Sequence, residues 1–199
     1  MTLKLNGSSS GSVSIDAPAS TTGGADVTLT LPVNDGDATQ FLQTNGSGTL
    51  SFAGVNQGRG CFNAYVSAQQ AFSHNTSAKL DCDTERFDAD SWYDTSNQRY
   101  TPQIAGYYHI NGIVRYQSGS NNSEGMVSVR KNGTSVINSA VGTNGYAGTI
   151  GVTLSCLIQM NGSDDYLELW GYQYDSGSGN KNAYADTNSE FSGYLVYPT

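Results

Sequence analysis

An all-β chain is predicted: a jelly-roll sandwich of roughly eight to ten antiparallel strands over residues 58–199, preceded by a Gly/Ser/Thr-rich segment with short strands over residues 1–57. Three observations predict it. The 24 glycines and 13 tyrosines stand against 13% charged residues, a composition of many short strands joined by tight turns, because Gly and Asn supply the positive-φ positions that turns need. Apolar and polar residues alternate with period two in run after run. An Asn-Gly pair, Asn132-Gly133, sits between two apolar runs, which is the strongest short hairpin signal.

Taken in order, the first ~55 residues contain loop-like text, from Asn6 to Ser12 and from Ala19 to Gly24, that builds no core by itself. Following each of these tracts, Val13-Ser14-Ile15 and Val27-Thr28-Leu29-Thr30-Leu31-Pro32 alternate and are expected to be half-buried strands. With so few apolar residues, and with each ordered residue costing on the order of 1–2 kcal/mol of backbone entropy, the segment is expected to order only against a partner. No heptad pattern runs through it, which excludes a coiled-coil stalk.

Strand signals become dense after Gly58. Phe62 to Ala68 alternates. Tyr107 to Tyr116 reads as one long strand with Tyr108, Ile110, Val114 and Tyr116 on one face. Met126 to Arg130 and Ser135 to Ile137 flank the Asn132-Gly133 turn, and Thr149 to Met160 and Tyr166 to Tyr174 flank Asn161 to Asp165, predicted as a second hairpin. Phe191 to Pro198 is the last strand. Trp170, Tyr194 and Tyr197 are expected, like Tyr108, to pack in the core.

A net charge of −8 with nine Lys and Arg repels a phosphate backbone, so nucleic acid and anionic membranes are not expected as partners. No apolar run approaches the length of a membrane span, and no signal-peptide core precedes the first loop, so the expectation is a chain made in the cytoplasm without membrane insertion. Cys61, Cys82 and Cys156 stand at wide spacing and are expected to be buried thiols, with a disulfide the alternative. His74 and His109 lie outside any nucleophile or metal motif, so no catalytic residues are assigned and a non-enzymatic protein is expected.

The pattern from Phe62 to Thr199 resembles the globular head of the complement q-type family, trimeric jelly rolls related to tumour necrosis factor. Asp88, Tyr93, Tyr100, Gly106, Tyr108 and Ile110 stand at the spacings of that family's central signature, and Phe191-Ser192-Gly193-Tyr194-Leu195-Val196 is similar to its closing strand. Cys82, Ile110 and Gly112 depart from the aromatic residues usual at their positions. No collagen-type tract precedes the head. Instead, the text from Leu5 to Ser8 and from Gln43 to Phe52 resembles the front of marine bacteriophage tail-fibre and appendage proteins.

These resemblances imply a homotrimer on a virion surface, anchored to tail or capsid proteins through residues 1–57, whose head meets a host cell-surface glycan or protein. Capsid decoration and a secreted complement-like module are the alternatives. Calcium at a trimer axis is a property of the resembled family, and Asp164 and Asp165 are the candidate ligands for it here; no other cofactor is implied. Because aromatic rings bind sugar and protein surfaces at low entropic cost, Trp92, Tyr93, Tyr146, Tyr174 and Tyr184, at strand ends or in Gly/Asn-rich loops, are the candidates for ligand contact.

Overall fold

The structure, a computed structural model, describes residues 3–6, 8–15, 18–21, 24–54, 59–117 and 122–199, with backbone only for residues 3, 13, 14, 122, 123 and 144–146. The chain divides into two compact units, Met1–Asn56 and Gln57–Thr199.

The first unit holds two hairpins. β1 (Leu3–Asn6) pairs with β2 (Ser12–Ile15), and β3 (Gln40–Thr44) pairs with β4 (Leu50–Gly54). The run from Val27 to Pro32 is not the predicted strand: it makes a single bridge, Thr30 to Thr49, in which the Thr30 amide donates to the Gly48 carbonyl at 2.8 Å and the Leu50 amide donates to the Thr30 carbonyl at 2.8 Å. Alternation alone does not make a strand where no neighbouring chain supplies the other ladder bonds. The expected half-burial is also absent, with Leu29 59% and Leu31 71% exposed. No described residue of this unit is buried, and isolated two-stranded hairpins are at best marginal in water.

The described residues of the second unit form a sandwich of thirteen strands. β5 (Phe62–Tyr65), β6 (Gln70–Phe72), β7 (Thr76–Lys79), β8 (Thr84–Asp88), β9 (Tyr93–Asp94) and β10 (Arg99–Tyr100) come first. The long strands follow: β11 (Ala105–Tyr116), β12 (Asn122–Lys131), β13 (Thr134–Tyr146), β14 (Ile150–Asn161) and β15 (Leu167–Asp175). β16 (Lys181–Ala183), a 3-10 turn (Asp186–Asn188) and β17 (Glu190–Pro198) end the chain. All pairings within the unit are antiparallel. One sheet runs β14–β11–β17–β5–β8, with β16 and β6 continuing past the end of β17 from Tyr116. The other runs β13–β12–β15–β10–β9, with β7 also on β15. The short strands raise the count above the long runs visible in the sequence, and the architecture is the predicted jelly roll.

The core lies between the sheets. Tyr108, Ile110, Val114 and Tyr116 all face it, as the period of β11 requires. Phe62 stacks on Tyr100 at 4.1 Å between ring centroids and meets Phe191 edge-on at 5.0 Å. Buried tyrosines keep their hydroxyls satisfied: Tyr93 donates to the Cys82 carbonyl at 2.8 Å, Tyr100 to Gly60 at 2.6 Å and Tyr116 to Met126 at 2.9 Å. Asp88 accepts the Tyr93 amide at 2.7 Å, which draws the 88–100 region inward. Cys82 is buried, whereas Cys61 and Cys156 are half-buried, and all three are free thiols.

The Asn132-Gly133 turn is as predicted: both residues have positive φ, 52° and 78°, the geometry of a type I′ hairpin, and Lys131 pairs with Thr134. The second predicted hairpin is not one. β14 pairs with β11 and β15 pairs with β12, so residues 161–166 carry the chain from one sheet to the other. Turn-type residues reverse direction equally well within a sheet and between sheets, and only the competition for partner strands decides. Gly162 makes this crossing with φ +74°, and a Cβ there would lie 2.1 Å from the Ala105 amide nitrogen. Gly162→Ala is therefore expected to cost about 1–3 kcal/mol, read as a lower urea midpoint at unchanged slope.

Candidate functional site

Side chains opposite the core define two outer faces. On the β14–β11–β17 face, successive rows are Gln159, Tyr107 and Tyr197; Leu157, His109 and Tyr194; Ser155, Asn111 and Ser192; and Thr153, Ile113 and Glu190. A bulge at Val196 brings Tyr197 opposite Tyr107. Leu157 is 63%, Tyr194 46% and Tyr197 64% exposed. Expecting Tyr194 and Tyr197 to be in the core was wrong: Leu195 takes the inward position and period two sends Tyr194 out, while the bulge at Val196 turns Tyr197 outward against the alternation. That alternation was the sequence signal for this face.

Charge on this face is confined to one end and paired there. Arg86 binds Glu190 at 2.7 Å, Asp186 at 2.8 Å and Asn63 at 2.8 Å, and lies over the Tyr65 ring at 4.4 Å. Arg115 donates to Asn188 at 2.9 Å. The three rows from Tyr107 to Asn111 contain no Asp, Glu, Lys or Arg. Two shallow grooves of about 400 and 350 Å³ meet at Asn111 and Ser192.

His109 Nε2 lies 2.8 Å from the Ser155 hydroxyl, and the Asn111 side-chain amide lies 3.3 Å from His109 Nδ1. With that amide donating to Nδ1, the ring proton sits on Nε2 and points at Ser155. The imidazole then has no lone pair free to take the hydroxyl proton, so the group is a positioned hydrogen-bond chain and not an activated nucleophile.

The second outer face carries Trp170, Tyr172 and Tyr174 on β15, alternating with the inward Leu169, Gly171 and Gln173. Trp170 too was expected in the core and faces outward. Its indole N–H donates to Glu168 at 3.0 Å, and the Tyr172 hydroxyl donates to Asn75 at 2.9 Å. Arg99 and Lys79 reach Glu168 at 2.9 and 3.4 Å.

The other candidates do not converge. Tyr93 is a core residue, 6% exposed, and is corrected from a ligand contact to packing. Trp92 is half-buried beneath Arg59, whose guanidinium lies 5.8 Å from the ring centre. Tyr184 is half-buried with Arg115 at 5.5 Å. Tyr174 is exposed, with His74 against it at 4.9 Å. The Tyr146 side chain lies outside the described residues.

Asp164 and Asp165 do not fit calcium. Asp165 accepts from Lys131 and Asn132, both at 2.7 Å, and from the Asn161 amide at 2.9 Å. Asp164 accepts from Asn161 at 2.6 Å and Ser163 at 3.1 Å. An ammonium already neutralises the more buried carboxylate, and six or more converging oxygens are missing; no group of three metal-ligating side chains occurs among the described residues.

These carboxylates govern acid stability instead. Burial pushes the Asp165 carboxyl up, but hydrogen bonds from Lys131 and Asn132 outweigh it and hold it below the usual range. The Lys181 ammonium, 2.6 Å away, holds Asp175 low against burial. For Glu168, burial again pushes upward, and Arg99, Trp170 and Lys79 outweigh it. A depressed folded-state pKa contributes stability above the unfolded value and loses it as pH falls through the folded value. The urea midpoint is therefore expected to hold near neutrality and to fall steadily below about pH 4.

No protein family and no curated protein matches the chain in sequence. Among solved structures, the globular domain of zebrafish complement 1qA protein is similar with a TM-score of 0.50 at 10% identity, covering 71% of this chain and 100% of that domain. A TNF structure, Eiger from S. frugiperda, gives a TM-score of 0.48 at 9% identity over 69% of this chain and 94% of that one. The chain thus shares the jelly-roll fold of a complement 1q-type globular domain, arrived at with almost none of its sequence.

Proposed function

We propose that the chain is a homotrimeric, non-enzymatic surface protein of a bacteriophage particle, a tail-fibre-type head for host recognition borne on an anchoring N-terminal segment. The observation that carries the self-association is the outer face of β14, β11 and β17. Three rows without formal charge, bearing Tyr107, Leu157, Tyr194 and Tyr197, occur on a chain of net charge −8, and exposed apolar faces of this kind mark interaction sites. Trimeric association of similar heads is what the resemblance implies. The N-terminal unit supports the rest: with no buried residue among those described, it needs neighbouring copies or a larger assembly, and its text resembles phage appendage proteins. Three heads would convert weak single contacts into firm adhesion.

Sedimentation equilibrium of the full chain at micromolar concentration is expected to give three times the 21.1 kDa chain mass; a monomer overturns the trimer. Immunogold labelling of virions with antibody against residues 60–199 is expected to mark tail or fibre tips. Label over the capsid would transfer the protein to capsid decoration, and bare particles would remove it from the virion.

A further inference from the structure

Self-association through one sheet leaves the other outer face unused, and that face carries its own chemistry. Trp170, Tyr172 and Tyr174 stand in a row on β15 at steps of roughly 6.7 Å. Their neighbours on adjoining strands include the short Ser128 beside Trp170 and Ser77 beside Tyr172, with Met126 across from Tyr172 and Glu124 across from Tyr174. The Trp170 and Tyr172 rings are held by polar edges, through Glu168 and Asn75. A fixed row of aromatic rings flanked by short polar side chains suits a linear chain of pyranose rings, whose C–H faces stack on aromatic ones while their hydroxyls reach sideways.

Charge selects among such chains. Of only nine Lys and Arg, three gather at the Trp170 end of the row around a single carboxylate, Glu168. Lys79 and Arg99 pair with it. Arg130 instead lies flat over Trp170, 3.6 Å from the ring centre, has no carboxylate partner among the described residues, and its buried Nε–H has no acceptor. A guanidinium held on an indole is pre-organised, and three cations around the one carboxylate of Glu168 leave this end of the row locally positive. Glu124 at the far end repels anions there, which directs an acidic group toward Arg130.

We propose that this strip binds an extended acidic polysaccharide, its pyranose rings on Tyr172 and Tyr174 and a carboxylate or sulfate on Arg130. The assignment rests on reading the head as a recognition module, and its test is independent of the trimer.

The full chain is run through native gels containing alginate, neutral dextran or single-stranded DNA. Alginate is expected to retard it, dextran not, and Tyr174→Ala and Arg130→Gln are each expected to weaken alginate binding on the order of tenfold while leaving the sedimentation mass unchanged. Added salt is expected to weaken it further. If Arg130→Gln lowers the thermal midpoint, Tyr174→Ala and the salt series decide the question, because Tyr174 is exposed. Unchanged migration in alginate, equal retardation by dextran, retardation by DNA alone, or variants that bind as wild type would overturn the strip. A trimer indifferent to alginate sinks the strip and spares the self-association; a monomer that binds alginate does the reverse.

Discussion

The double variant Leu157→Glu, Tyr194→Glu is expected to sediment as a monomer at concentrations where the wild-type chain is expected to form the proposed trimer. Both residues flank His109 in one row of the β14–β11–β17 face. Burying a Leu or a Tyr at an interface contributes about 1.5–3 kcal/mol, and central aromatic residues often contribute more than their share. A carboxylate at either place loses that gain and is left desolvated among uncharged neighbours, which costs still more. In the proposed trimer, three-fold symmetry would repeat the defect at every contact. The monomer itself should melt close to wild type, since both side chains are solvent-exposed in the single chain. Tyr194→Phe, which keeps the ring, should remain trimeric. If the double variant keeps the trimer mass, the subunits meet through some other surface.

The second large effect is expected inside the head. Asp165→Ala removes an acceptor that joins the Lys131-Asn132 turn of one sheet to the Asn161 crossing from the other. It strands the Asn132 amide and the Asn161 backbone N–H and leaves the Lys131 ammonium with the Gln159 carbonyl alone. Breaking such a buried network costs about 3 kcal/mol, which for a unit of this size lowers the thermal midpoint by roughly 10 °C. Asp165→Asn keeps the shape and one acceptor and should lose less than half as much. Calorimetry at matched protein concentration measures both, because oligomerisation makes the midpoint concentration-dependent. An Asp165→Ala midpoint within a degree of wild type would show that the turn and the crossing hold without it.

Much of the head was legible because period two is a strong constraint. The inward set on β11 follows from its alternation, and the Asn132-Gly133 turn follows from the two positive φ angles its residues tolerate. Tyr194 and Trp170 were misplaced by weighing residue type over parity: aromatic rings are usually buried, yet Leu195 and Leu169 hold the inward positions beside them. Tyr197 has the parity of Leu195 and is turned outward only by the bulge at Val196. Tyr93 was misplaced in the opposite sense, its loop-like surroundings concealing the Asp88 bond that pulls its backbone into the core. Asp164 and Asp165 looked like free oxygen ligands because the Lys131 that neutralises Asp165 is 34 positions away.

By itself the sequence determined the all-β class, the course of the long strands, the inward set of β11 and the turn at Asn132-Gly133, all set by backbone sterics and side-chain alternation over a few residues. Only the tertiary structure decided which strands share a sheet, that residues 161–166 cross between sheets, and that Arg130 comes to rest on Trp170 while Lys79 and Arg99 take the Glu168 carboxylate. Those outcomes come from competition among distant segments for ladder bonds and burial, which no local stretch of the chain encodes.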